Sequence, residues 1–159
     1  MKQISINHPG FTIVELLIYM GVSAIILVSL TQVFVMIGRL RLESQSYSLL
    51  QQDGVYLLSR LSYDVARSGS ISTPILGAQG NVLQTDKVRY FLDSNRLRIT
   101  DSVGTEFLTG GDITISNLNF HHLDGGTHEN VRVSFTLTSQ IKEPSGLQTK
   151  DFSTTVGTR

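Results

Sequence analysis

From Phe11 to Gly38 the chain reads FTIVELLIYMGVSAIILVSLTQVFVMIG, apolar almost throughout, with Glu15 as its one carboxylate and no basic side chain. At about 1.5 Å per residue such a run extends roughly 42 Å as a helix, and a bilayer core needs only about 20 residues. An ordinary domain of this size does not hide so long a helix that is apolar all round. The pattern therefore predicts a membrane-inserted helix. Residues 39–67 keep a helical period but become amphipathic, with apolar positions at Leu42, Tyr47, Leu50, Val55, Leu57, Leu58, Leu61 and Val65. No proline lies between Phe11 and Arg67, and Ser68-Gly69 supplies a stop. One helix of about 57 residues, roughly 85 Å long, is expected. Gly54 is its weak point, costing up to about 1 kcal/mol. The repeat is too short and irregular for a coiled coil, so the apolar stripe is expected to pack on the chain's own C-terminal part.

From residue 70 the texture changes to short β-favouring runs between turn residues. Residues 87–92 (KVRYFL) and 96–100 (RLRIT) flank Asp93-Ser94-Asn95 and read as a hairpin. Gly110-Gly111-Asp112 leads into the alternating run ITISNLNFHHL at 113–123. A loop over 124–130 (DGGTHEN) comes next, then the clearest strand, VRVSFTLTSQI at 131–141. A turn over 143–148 precedes a last strand at 149–156. Residues 70–86 carry little pattern and read as a loop with one short strand. The fold class is α+β: a long N-terminal helix packed on a C-terminal, mainly antiparallel β-sheet. The chain divides into a leader at 1–10, an apolar helix at 11–38, its amphipathic continuation at 39–69 and a β domain at 70–159.

The segment before the apolar run, MKQISINHPG, is polar with one basic side chain, Lys2. A secretory signal would carry a small-residue cleavage site after its apolar region. Here Arg39-Leu40-Arg41 comes directly after it, so the apolar helix is expected to be kept. Arg39 and Arg41 outnumber Lys2, which by itself does not favour an inside leader. Formal charge is zero, with 13 basic and 13 acidic side chains, giving no net basic field to draw in nucleic acid. Cysteine is absent, which excludes disulfides, thiol catalysis and thiolate metal sites.

Glu15 needs a partner or a use, because an acid at the centre of a membrane helix costs about 2.5–3.5 kcal/mol. If the chain were cut between Gly10 and Phe11, a new amine with a pKa of about 7.7–8 would appear. It would lie four positions from Glu15, on the same helical face. Gly10-Phe11-Thr12-Ile13-Val14-Glu15-Leu16-Leu17 resembles the prepilin peptidase motif of type IV pilins and pseudopilins. The resemblance implies cleavage after Gly10, N-methylation of Phe11, and assembly of the helix into a filament with Glu15 neutralising an amine. Pro9 stands where the family often has a basic residue, and Gln32 where many major pilins have a kinking proline. Further along, Leu58-Ser59-Arg60-Leu61 with Asp64-Val65-Ala66-Arg67, Val88-Arg89-Tyr90 with Arg96-Leu97, Ile115-Ser116-Asn117-Leu118-Asn119-Phe120 and Val131-Arg132-Val133 are similar to J-type minor pseudopilins of type II secretion and to minor type IV pilins. The implied partners are other pilin subunits, prepilin peptidase and an inner-membrane assembly platform. The implied location is the cytoplasmic membrane, with the β domain outside, and then a pilus or pseudopilus.

No P-loop, nucleophile elbow, dinucleotide turn or HExxH helix occurs, and neither an enzyme, a cofactor nor a direct nucleic-acid partner is expected. His8 would leave with the leader. His121, His122, Asp124, His128 and Glu129 cluster in sequence, but adjacent strand residues face opposite ways, so at most one of His121 and His122 can join His128. A metal site is not expected, and the Asp124-Gly125-Gly126 segment has few oxygens for calcium. The competing reading is a membrane-anchored extracytoplasmic binding module that enters no filament.

Overall fold

The structure, a computed structural model, describes residues 10–124, 128–142 and 146–158. Lys2, His8 and Pro9 of the leader, the middle of the 124–130 loop and the start of the 143–148 turn lie outside the described residues. The chain falls into two compact units, one ending at Leu40 and one beginning at Arg41.

Helix α1 runs Ile13–Arg67, 55 residues. It starts two residues later than expected because Thr12 acts as its cap. In the first unit the helix side chains are exposed apart from the half-buried Glu15. The segment is long and apolar enough to cross a membrane. Two of its hydroxyls are satisfied locally: Ser29 Oγ donates to Ile25 O and Thr31 Oγ1 to Leu27 O, each at 2.9 Å.

In the second unit the buried stripe of α1 is Ser46, Leu50, Gly54, Leu57, Leu61, Asp64 and Val65. Leu50, Leu57, Leu61 and Val65 were expected there. Leu42, Tyr47 and Val55 are exposed instead, and small or polar residues take their places where the helix comes close to the strands.

Among the described residues there are nine strands: β1 Ile71–Thr73, β2 Gln79–Gly80, β3 Leu83–Thr85, β4 Arg89–Asp93, β5 Arg96–Thr100, β6 Thr105–Phe107, β7 Ile113–Leu123, β8 Asn130–Ser139 and β9 Thr149–Gly157. They form two antiparallel sheets rather than one. The first has five strands in the order β1-β3-β4-β5-β6, the second four in the order β2-β7-β8-β9. Residues 70–86 hold three strands, which corrects the expected loop with a single strand. The 93–96 hairpin is present, with Asp93 opposite Arg96. Ser94 and Asn95 both have positive φ, 51° and 61°, as a two-residue turn between twisted strands requires.

Strand β7 contains a bulge. Its register against β8 shifts between Ser116 and Asn119, and Asn117 takes φ 53°. The inward set accordingly changes phase, from Ile113 and Ile115 to Leu118, Phe120 and His122. Inner faces of both sheets and the α1 stripe share one core, with Leu57, Leu61, Leu83, Tyr90, Leu97, Phe120 and Leu137 among its buried members.

Two polar locks hold α1 to the strands. Asp64 accepts from Arg60 Nε at 2.9 Å and from the Tyr90 hydroxyl. Burial, followed by the adjacent Asp64 carboxylate, pushes the Tyr90 phenol well above its ordinary pKa. Earlier along the helix, Lys150 on β9 donates to Tyr47 Oη at 3.0 Å and to Gln51. The hydrogen bond from Lys150 and its charge lower the Tyr47 pKa.

Candidate functional site

Gly10 and Phe11 lie ahead of the helix and are exposed, Phe11 by 74%. A Cβ placed on Gly10 would meet nothing within 4 Å, so packing does not demand glycine at this position. Thr12 is the helix cap. Its Oγ1 accepts the Glu15 N–H at 3.2 Å, and its carbonyl accepts the Leu16 N–H at 3.1 Å. This is the threonine half of a capping box; the reciprocal bond from the Glu15 carboxylate to the Thr12 N–H is not formed. Thr-x-x-Glu before an apolar run was a readable signal for this cap, and reading the run as helix from Phe11 overlooked it.

Glu15 therefore occupies the third helical position, in the first turn, where the unpaired N–H groups and the dipole favour a negative charge. One turn on, the Tyr19 hydroxyl stands 3.5 Å from its Oε1, at the outer limit of a hydrogen bond. The Phe11 and Tyr19 rings meet edge to face, with centroids 6.0 Å apart and planes at 70°. Among the described residues no cation lies within ion-pair distance of the Glu15 carboxylate. The four-position spacing between Glu15 and an amine at residue 11 applies to a chain cut after Gly10; in the uncut chain Phe11 lies ahead of the helix and its ring reaches Tyr19.

No known protein family, curated protein or solved structure matches this chain.

The histidines separate as strand geometry requires. His121 is half-buried on one side of β7, and His122 is buried on the other. His122 Nδ1 lies 2.8 Å from Pro74 O, tying the segment after β1 to β7. Its Nε2 is 3.9 Å from Glu129 Oε2, which itself accepts the Ile71 N–H at 2.6 Å. Glu129 thus anchors the start of β1. His128 is exposed, and among the described residues no group of three potential ligands could hold a metal ion.

A cleft of about 530 Å³ at the C-terminal end of α1 is lined by Arg60, Tyr63, Asp64, Arg67, Asp86, Lys87 and their neighbours. Its charged groups are engaged in holding the chain. Asp64 locks Tyr90, Asp86 Oδ1 accepts the Gly69 N–H at 3.1 Å, and Lys87 donates to the Arg67 carbonyl. Lys87 thereby satisfies one of the open carbonyls at the helix end and complements its dipole.

Proposed function

We propose that this chain is a minor pilin or pseudopilin, a structural subunit of a type IV pilus or a type II secretion-like filament. Prepilin peptidase cuts after Gly10, Phe11 becomes the N-methylated first residue, and the apolar part of α1 passes from the cytoplasmic membrane into a bundle of like helices. The β domain faces outward. Partners are other pilin subunits and the inner-membrane assembly platform, and the work is assembly rather than catalysis.

The observation that carries this reading is Glu15, the lone acid of an apolar run, held in the first helical turn beside the motif's Gly10-Phe11 bond. That bond lies in an exposed, non-helical segment, as a protease substrate must. Gly10 meets no packing demand, which is compatible with a use in recognition by a processing enzyme. Cutting there creates a cation at the positive end of the helix dipole, an unfavourable placement that an adjacent carboxylate offsets. Methylation leaves that amine charged. In a bundle the same carboxylate can take the amine of a neighbouring subunit, which fixes the stagger between helices as well as neutralising both charges in a medium that penalises either alone.

Mass spectrometry of the protein from cells that contain the processing enzyme tests this. The expected mature terminus is methylated Phe11. An intact Met1 would favour the anchored binding module instead.

A further inference from the structure

The zero net charge of the chain hides an uneven distribution over the β domain. In the five-stranded sheet, Tyr90, Leu97 and Ile99 point into the core, so Arg89, Phe91 and Asp93 on β4 and Arg96, Arg98 and Thr100 on β5 point the other way. Across β4, β5 and β6 the register places Phe91, Arg98 and Phe107 in one row. Arg89 and Asp93–Arg96 lie in the flanking rows.

Guanidinium groups sit over the rings. Arg96 Cζ is 4.0 Å and Arg98 Cζ 4.5 Å from the Phe107 centroid, and Arg89 Cζ is 5.4 Å from that of Phe91. Arg96 donates Nη2 to Thr109 O and Arg98 donates Nη1 to Asp93, each at 2.7 Å. One end of each group is therefore fixed, and its other amino group has no partner among the described residues. Arg89 is exposed, and its guanidinium has no hydrogen-bond or ion-pair partner among them. Asp93 is the one acid in these rows. The carboxylate of nearby Asp101 is turned onto the backbone of Val103 and Gly104.

We propose that this outer face binds single-stranded nucleic acid. Bases stack on the guanidinium–phenylalanine pairs, and phosphates take the open donors of Arg89, Arg96 and Arg98. Exposed bases stack on aromatic rings and on guanidinium planes alike, and a basic sheet face with aromatics serves this purpose elsewhere. Charge complementarity alone would also suit an acidic peptide. Such a partner has no use for Phe107, 41% exposed, or for the partly buried Phe91 beside it, on a surface where threonine would suffice. The inference does not depend on filament membership, since it uses only the β domain.

Fluorescence anisotropy with labelled oligothymidylate and the detergent-solubilised full chain tests it. Binding should weaken with salt at a log–log slope of about −2, as three phosphate contacts on a single strand give. Phe107→Ala should weaken binding about fivefold or more, the lower end for loss of a base–aromatic stack. Arg89→Glu should weaken it and flatten the salt slope. Arg132→Glu makes the same charge change at an exposed position of β8 in the other sheet and should leave binding intact. All three positions are exposed, and unchanged circular dichroism would exclude misfolding. No binding to oligothymidylate would overturn the proposal. So would equal capture of polyglutamate with Phe107→Ala neutral, which would mark the face as a site for acidic protein. A loss in Arg132→Glu matching that in Arg89→Glu would place any binding elsewhere.

Discussion

Gly54 offers a test in which local and tertiary preferences have opposite signs. In an exposed helix interior, Gly→Ala stabilises by about 0.8–1 kcal/mol. At Gly54, however, an added Cβ would lie 2.1, 2.2 and 2.6 Å from Cζ, Cε1 and Cε2 of Phe152. These are ring atoms seated on the helix backbone, and ordinary contact begins near 3.4 Å. The ring has little room to yield, because Phe152 is nearly buried and stacks on Phe135 with centroids 5.6 Å apart and planes at 22°. Either the helix shifts from β9, an overpacking cost of about 1–3 kcal/mol, or the ring leaves. Leaving loses about 1.5–3 kcal/mol of burial and about 0.5–1.5 kcal/mol of ring pairing. After subtracting the propensity gain, Gly54→Ala should destabilise the β domain by up to about 2–3 kcal/mol. Denaturant unfolding of the full chain in detergent, followed by circular dichroism, measures this. The decisive comparison is a double-mutant cycle with Phe152→Ala. With the ring removed, Gly54→Ala should become stabilising by up to about 1 kcal/mol. If it raised stability equally with Phe152 present, the close approach of helix and strand would be refuted.

Tyr90→Phe should cost about 1.5–3 kcal/mol, since the hydroxyl's partner is the buried Asp64 carboxylate. Because the folded phenol has its pKa raised above the ordinary 10.0, its contribution is complete below that value. It is lost as pH rises through and beyond it, where the unfolded tyrosine ionises and the folded one does not. Stability curves at increasing alkalinity should therefore fall more steeply for the wild type than for Tyr90→Phe; parallel curves would contradict the assignment. Glu15→Ala should abolish incorporation into filaments while leaving membrane insertion intact, read by fractionation and by immunolabelling of sheared filaments. Equal incorporation of the two proteins would remove Glu15 from the assembly role.

The parts of this molecule that were legible in sequence are those whose side chains repeat with a period. The long helix ends at Arg67 as Ser68-Gly69 predicted, and β5 and β7 have the boundaries that alternation and turn residues marked. The phase slip at Asn117 escaped that reading, which treats 113–123 as one alternating run, although Ile115 to Leu118 is a three-residue step where two would continue the alternation. Short strands left no such trace. The strands β1, β2, β3 and β6 are two or three residues long, too brief for a period. Gln79–Gly80 counts as a strand because His121 and Phe120 stand opposite it.

The amino-acid sequence by itself determined the apolar helix with its single acid, the amphipathic change after Gly38 and the β character of the C-terminal half. All of these depend on residues near one another in the chain. The tertiary structure alone decided that the strands split into two sheets, and that Gly54, a weakness by propensity, is the point where Phe152 rests. It also decided that evenly balanced charges leave three arginines and two phenylalanines on one sheet face. Each of these results from pairing between residues far apart in sequence, and chain order does not encode which distant strand, or which face of it, a side chain will meet.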